Sequence, residues 1–133
     1  MKKYGNSLWF GVVLLWLSSC SSRLTFLNST VTPAATGTVS FKKDKNSNYI
    51  LQVEVRNLAE PHRLTPSKNI YLAWMEAGGR PAQKLGQLTI YSKMLKGELK
   101  ATTIDQPAVV YITAEVDENA ESPGEMVVLT TKR

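Results

Sequence analysis

Short apolar runs bounded by turn-forming residues make up most of the chain beyond residue 36. Across residues 49–58 apolar and polar residues alternate, so that Leu51, Val53 and Val55 share one face. Alternation with a period of two is typical of a β-strand with one buried face. The pattern therefore predicts a half-buried strand, followed by a loop over residues 60–69 that contains two prolines.

Residues 70–77 are apolar on both faces of a strand, which indicates a central position in a sheet. Ile70, Leu72 and Trp74 share one face, and we expect Trp74 to lie in the core. Tyr71 points to the opposite face and is a candidate for a surface aromatic residue.

Seven segments show strand patterns, at 37–44, 49–58, 70–77, 83–92, 96–104, 108–117 and 125–133. A short first strand at Arg23 to Leu27 makes an eighth. No segment keeps apolar residues three and four apart over a dozen positions, as an amphipathic helix does. Short strands at regular spacing predict an all-β sandwich or barrel of seven or eight antiparallel strands. We expect its core to contain Trp74, Val53, Val110, Ile112 and Val128.

The first twenty residues follow a different pattern. Lys2 and Lys3 precede an apolar run from Leu8 to Leu17, and small residues follow it up to Cys20. This is the three-part arrangement of a secretory signal peptide. A membrane-spanning helix needs about 20 apolar residues, and the run has half that length.

The sequence LSSC, Leu17 to Cys20, resembles the lipobox of bacterial lipoproteins. The resemblance implies cleavage between Ser19 and Cys20, acylation of the Cys20 sulfur and a membrane lipid as partner. The chain then divides into a signal peptide (1–19), a lipidated N-terminus and tether (20–36) and a β-sandwich domain (37–133). Ser21, rather than Asp, favours the outer membrane over the inner one by the sorting rule of such lipoproteins. Acylation leaves no thiol, because Cys20 is the single cysteine.

Composition and charge are those of one ordinary globular domain of 133 residues. Removing Lys2 and Lys3 from the 16 basic residues leaves 14, against 11 acidic residues. The basic residues are scattered along the sequence and interrupted by acidic ones, so we expect no nucleic-acid partner.

Two later segments resemble the extracytoplasmic C-terminal domain of the anti-sigma-K factor family. The first is YLAWMEAGGRPAQKLGQL and the second is VYITAEVDENAESPGEMVVLT, and the likeness extends over about residues 37–131. The matching positions are Tyr71, Trp74, Gly78 to Pro81, Leu85 to Leu88, Val110, Ile112, Thr113, Glu115, Pro123, Gly124, Val128 and Leu129.

That resemblance implies an immunoglobulin-like β-sandwich. An anti-sigma factor also needs a cytoplasmic domain and a spanning helix, and we find neither pattern in the sequence. We therefore expect the domain type without direct binding of a sigma factor.

Candidate chemistry is sparse in the exported part of the chain. His62 is the single histidine, with Glu60 nearby, and no nucleophile motif accompanies it. Zinc would need three or four His or Cys ligands. One acidic cluster lacks the spacing of a calcium loop and is interpreted as a charged turn: Glu115, Asp117, Glu118 and Glu121. We expect no metal, no cofactor and no enzymatic activity.

Three functions remain open. The first is a non-enzymatic envelope module that binds or senses a protein or glycan, with unassigned ligand residues. Exposed tyrosines sharing one patch would indicate its surface, and the candidates are Tyr71, Tyr91 and Tyr111. The second is a structural surface lipoprotein without a specific ligand. The third is a small hydrolase with two carboxylates within about 10 Å of each other.

Overall fold

The computed structural model describes residues 21–133. The predicted signal peptide, the cleavage site at Ser19 and the lipidation site at Cys20 lie outside the described residues. The all-β prediction is confirmed, with nine strands in two antiparallel sheets. The strands are β1 (Ser22–Thr25), β2 (Thr36–Lys43), β3 (Tyr49–Arg56), β4 (Ile70–Glu76), β5 (Gln83–Gln87), β6 (Thr89–Tyr91), β7 (Lys96–Thr103), β8 (Val109–Glu115) and β9 (Val127–Thr130).

The strand order is that of an immunoglobulin-like sandwich. The five-stranded sheet has the order β1-β2-β3-β7-β6, and the four-stranded sheet has the order β5-β4-β8-β9. Without the edge strands β1 and β5, these are the four- and three-stranded sheets of a constant-type immunoglobulin domain. The connection between β3 and β4 contains a single 3-10 turn at Pro61–Arg63.

The segment predicted as one strand at 83–92 is divided between the two sheets. Leu88 separates β5 from β6, is 2% exposed and donates its main-chain N–H to the oxygen of Tyr71 at 3.0 Å. β5 pairs with β4, whereas β6 crosses to β7. The single-strand prediction overlooked a sequence signal of this break, because Leu85 and Leu88 are three residues apart whereas Leu88 and Ile90 are two apart.

The predicted short first strand at Arg23 to Leu27 is present as β1, so the sandwich begins at Ser22 and not at residue 37. β1 pairs with β2, with Ser22 opposite Phe41. Just after β1, Phe26 is 6% exposed, and the N–H of Leu27 donates to the oxygen of Thr130 in the other sheet at 2.9 Å. Within the segment predicted as a tether, residues 22–36 are therefore part of the sandwich.

The core lies between the sheets and draws on β2, β3, β4 and β8. On β8, Val110 and Ile112 face inward as predicted. On β4 the inward residues are Tyr71, Ala73 and Met75, which corrects both predictions for this strand. Tyr71 is fully buried in the core, and Trp74 lies on the outer face of the four-stranded sheet, outside the core cluster.

The prediction failed because β4 is buried on both faces. Leu72 and Trp74 are 1% and 0% exposed, although they face away from the core. A period of two separates an apolar face from a polar one, but it cannot identify the inward face of a strand that is apolar on both. Among residues 21–133, no helix is long and apolar enough to cross a membrane.

Candidate binding surface

A chain of hydrogen bonds joins β4, β8 and the following loop on the outer face of the four-stranded sheet. The indole N–H of Trp74 donates to Thr113 Oγ1 at 2.8 Å, and the Thr113 hydroxyl donates to Glu115 Oε1 at 2.7 Å. The main-chain N–H of Gly124 donates to the same Glu115 oxygen at 2.8 Å. Trp74 and Thr113 are 0% exposed, so each buried polar atom has its partner inside the protein.

These bonds hold the β8–β9 loop, residues 116–126, across the outer face. Lys84 of β5 adds a second attachment, because its Nζ lies 5.7 Å from the centre of the Trp74 ring and donates to the oxygen of Glu118 at 2.7 Å. A Cβ at Gly124 would lie 2.8 Å from Glu115 Oε2, so the loop approaches the carboxylate more closely than a side chain permits. The loop is thereby fixed over Trp74.

A concave surface lies beside the fixed loop, and we call it the Tyr111 groove. Its volume is about 510 Å³. Val109, Tyr111 and Val127 contribute apolar surface, Pro123 comes from the loop, and Thr130 lies opposite Tyr111 on β9. Charged groups complete the lining, namely Glu76, Lys132 and Arg133.

The groove combines apolar contact area with hydrogen-bonding groups. Val127 is 42% exposed, which is high for a valine in a strand. Partial burial, and then the negative charge of Glu76, raises the pKa of Tyr111. Its hydroxyl is therefore protonated at neutral pH and able to donate. An aromatic ring beside a few polar groups is the usual composition of a ligand site.

The other two candidate tyrosines do not contribute to this surface. Tyr71 lies in the core, where its hydroxyl donates to the oxygen of Ala59 at 2.6 Å and burial raises its pKa to about 12. Tyr91 is 46% exposed on β6 in the other sheet. The tyrosines therefore do not form one shared patch.

Sequence reasoning missed Val109, Pro123 and Val127. β8 did carry a signal, because Val109 and Tyr111 alternate with the core residues Val110 and Ile112. A strand that is apolar on both faces needs cover on both, and the cover for the outer face comes from the loop that follows β8.

The single histidine lies at the end of the sandwich that contains the β3–β4 connection. Its Nε2 is 3.1 Å from Glu60 Oε2, and both residues line a cavity of about 590 Å³. The His62 side chain is 64% exposed. A carboxylate beside an imidazole can orient it for proton transfer, but nucleophilic catalysis also needs a hydroxyl at the ring. Ser67 Oγ instead donates to the main-chain oxygen of His62 at 3.0 Å.

Side chains of the acidic cluster accept hydrogen bonds that hold the β8–β9 loop. Glu115 accepts the two hydrogen bonds described above, and Asp117 Oδ1 accepts the N–H of Asn119 at 2.8 Å. Glu115 and Glu125 line a cavity of about 520 Å³. Among residues 21–133, no group of three or more His, Cys, Asp or Glu side chains is placed to hold a metal ion.

Comparison with known proteins gives no match to a protein-family model, a curated protein or a solved structure. The relation to the anti-sigma-K factor family therefore stays a prediction. The positions behind it nevertheless have a structural role here. Trp74, Thr113, Glu115 and Gly124 form the hydrogen-bond chain, and Pro123 lines the Tyr111 groove.

Proposed function

We propose that this protein is a lipid-anchored, non-enzymatic module of the bacterial envelope that binds an envelope protein or glycan in the Tyr111 groove. The observation that supports binding is the hydrogen-bond chain from Trp74 to Gly124, which fixes the loop beside the groove. A surface formed before its ligand arrives loses less conformational entropy on binding than a mobile one.

Anchoring rests on the sequence LSSC at Leu17 to Cys20. Acyl chains contribute about 0.8 kcal/mol per buried methylene, and stable attachment takes two or more chains. The proposal places several chains on Cys20 and, because Ser21 follows it, assigns the protein to the outer membrane in preference to the inner one.

The chemistry of the groove fits an extended peptide segment or a sugar ring. Tyr111 offers an aromatic face and a hydroxyl donor, while Thr130 and Lys132 offer further hydrogen-bonding groups. A rigid aromatic residue contributes contact area at a small entropic cost, which is why tyrosine is frequent at recognition surfaces.

Replacing Cys20 tests the anchor. The Cys20→Ala variant should keep its signal peptide, incorporate no labelled palmitate and migrate on a denaturing gel as the unprocessed protein. The Ser22→Ala variant should behave as wild type. Labelling and membrane fractionation with detergent measure this. Palmitate incorporation and normal processing in Cys20→Ala would show that the lipobox interpretation is wrong.

A photoreactive phenylalanine analogue tests the groove. Placed at position 111 and irradiated in cells, it should give a discrete adduct, and sensitivity to protease or to a glycan hydrolase identifies the partner's class. Position 91, an exposed tyrosine on the opposite sheet, is the matched control. Equal adducts at both positions, or none at position 111, would contradict binding in the groove and favour the structural alternative.

A further inference from the structure

The outer face of the five-stranded sheet is basic close to the proposed lipidation site. A shallow depression of about 370 Å³ on this face contains Ser21, Arg23, Lys42 and Lys100 among its lining residues. One row of cross-strand neighbours runs through Arg23, Ser40, Gln52 and Lys100. The cations Arg23 and Lys100 therefore lie in the same row of the sheet. We call Arg23, Lys42 and Lys100 the basic face.

Covalent geometry ties this face to the anchor. Consecutive Cα atoms are 3.8 Å apart, so Cys20 lies one residue from Ser21 in the depression and two from the start of β1. Two residues of chain span at most about 7 Å. A domain joined to its lipid by so short a connection lies within reach of the headgroups, and its nearest surface is the basic face.

The same end of the sandwich holds other cations and an exposed apolar residue. Lys43 ends β2, and Lys45 lies in the β2–β3 turn. The β7–β8 connection carries Ile104, which is 81% exposed. Its neighbour Asp105 pairs with Arg80 at 2.9 Å. Asp44 in the β2–β3 turn accepts the main-chain N–H groups of Asn46 and Asn48, and Glu76 lies on the opposite sheet in the Tyr111 groove.

Acidic residues gather toward the other end. The outer face has two carboxylates, Glu54 and Glu98, one row beyond Arg23, and Lys96 pairs with Glu98 at 2.7 Å. Glu60, Asp117 and Glu125 also lie toward the far end, whereas the main chain of Glu118 reaches back to Lys84 on the four-stranded sheet. The far end also carries cations, among them Arg63, Lys68 and Lys93, so a negatively charged surface would attract the first end more strongly than the second.

We propose that the basic face docks on anionic phospholipid headgroups of the membrane in which Cys20 is anchored. The proposal rests on lipidation of Cys20 and adds an orientation to it. Ile104 lies at the membrane surface, the acidic end points away, and the Tyr111 groove on the opposite sheet stays open to a partner. Each Lys or Arg near an anionic surface contributes attraction that extends over about one Debye length.

A single fluorophore can report this orientation, because the acylated protein has no thiol besides Cys20. We would introduce Ile104→Cys, label it with an environment-sensitive dye and reconstitute the mature protein purified from membranes into vesicles. Met94→Cys, 69% exposed on the β6–β7 turn at the other end, is the matched control. The vesicles contain phosphatidylcholine alone or with about a third phosphatidylglycerol.

With phosphatidylglycerol, the dye at position 104 should shift to the blue and be quenched by headgroup-located quenchers, whereas the dye at 94 should do neither. Replacing Arg23, Lys42 and Lys100 by Gln should lower the ratio of docked to undocked domain by about 100-fold, since each contributes roughly fivefold. Lys68→Gln with Lys93→Gln should leave the ratio unchanged. Salt at 0.5 M should reduce docking of the wild-type protein.

Flotation with the vesicles separates the two proposals. Protein that does not float contradicts lipidation at Cys20. Protein that floats but gives equal signals at 104 and 94, or signals independent of phosphatidylglycerol, overturns docking of the basic face and leaves the anchor intact. A signal at 104 that survives replacement of the three cations also overturns it.

Discussion

Replacing Thr113 by Val should detach the β8–β9 loop from the four-stranded sheet. The side chain keeps nearly the same volume but loses its hydroxyl, so it can neither accept from Trp74 nor donate to Glu115. Thr113 is 0% exposed, and no water reaches it from the surface to replace the hydroxyl. The variant therefore removes the middle of the hydrogen-bond chain without opening a cavity.

The magnitude follows from the two bonds lost. Leaving the indole N–H of Trp74 buried without a partner costs about 1–3 kcal/mol. The bond to the Glu115 carboxylate at 2.7 Å involves a charged acceptor, for which about 1.5–3 kcal/mol is typical. Glu115 keeps its bond to Gly124, and part of each cost relaxes as the loop shifts. We expect the free energy of unfolding to fall by about 3 kcal/mol.

The assay uses Trp74 itself, which is the single tryptophan of residues 20–133. Urea denaturation of residues 21–133, followed by circular dichroism, gives the free energy of unfolding. The emission maximum and acrylamide quenching of the native protein report whether the indole stays covered. In Thr113→Val the emission should move to longer wavelength and quenching should increase.

Thr113→Ser is the matched control, because it keeps the hydroxyl and loses one methyl group at a cost of about 1 kcal/mol. Its native emission should match that of the wild type. The reasoning is refuted if the Val and Ser variants are equally stable within about 0.5 kcal/mol and Trp74 stays equally protected in both. The loop would then be held by packing alone.

Two further predictions concern the core. Burial raises the pKa of Tyr71 to about 12, above its ordinary value of 10.0, so the stability this hydroxyl contributes is fully present below pH 10 and is lost as pH rises toward 12. Tyr71→Phe should lower the free energy of unfolding by about 1 kcal/mol at pH 7, because the hydrogen bond to Ala59 is lost. The variant should also show a smaller fall in stability between pH 10 and 12, whereas Tyr91→Phe should have neither effect. Urea denaturation at each pH measures both. Gly37→Ala should lower the free energy of unfolding by about 3 kcal/mol, because its Cβ would lie 2.4 Å from a main-chain oxygen of β3. Gly79→Ala, at φ 78° in open space, should lower it by about 1 kcal/mol. Equal melting temperatures of the two variants would contradict this.

The sequence predicted strands wherever one face of a strand is buried and the other is polar. β3 is the clearest case, since Leu51, Val53 and Val55 are all 0% exposed and alternate with polar residues. The immunoglobulin-like order followed from resemblance, and the strand pairing agrees with it. The local pattern was enough to predict these strands and their buried faces, because each has only one apolar side to bury.

The sequence could not assign the faces of β4, or the loop that covers one of them. Trp74 and Tyr71 are both large and fully buried, and the hydrogen-bond partner of the Trp74 indole, Thr113, is 39 residues away along the chain. The Tyr111 groove was unpredictable for the same reason, since Pro123 reaches it through tertiary hydrogen bonds. The short first strand was predicted at Arg23 to Leu27, but its pairing with β2 joins residues distant along the chain and has no local signal.

The two outer faces of the sandwich differ in a way that matches their proposed roles, which are docking on headgroups and binding of a partner. The outer face of the five-stranded sheet is open, polar and basic near the anchor, whereas the outer face of the four-stranded sheet is partly covered by a fixed loop with an apolar groove beside it. The proposed lipid at Cys20 would lie close to β1, an edge strand of the five-stranded sheet, and the membrane would then approach the domain from that side. Since the groove lies on the other sheet, a partner bound there would not compete with the headgroups for the same surface. Variants of the basic face should therefore change orientation without changing crosslinking at Tyr111, and variants of the loop network should do the reverse.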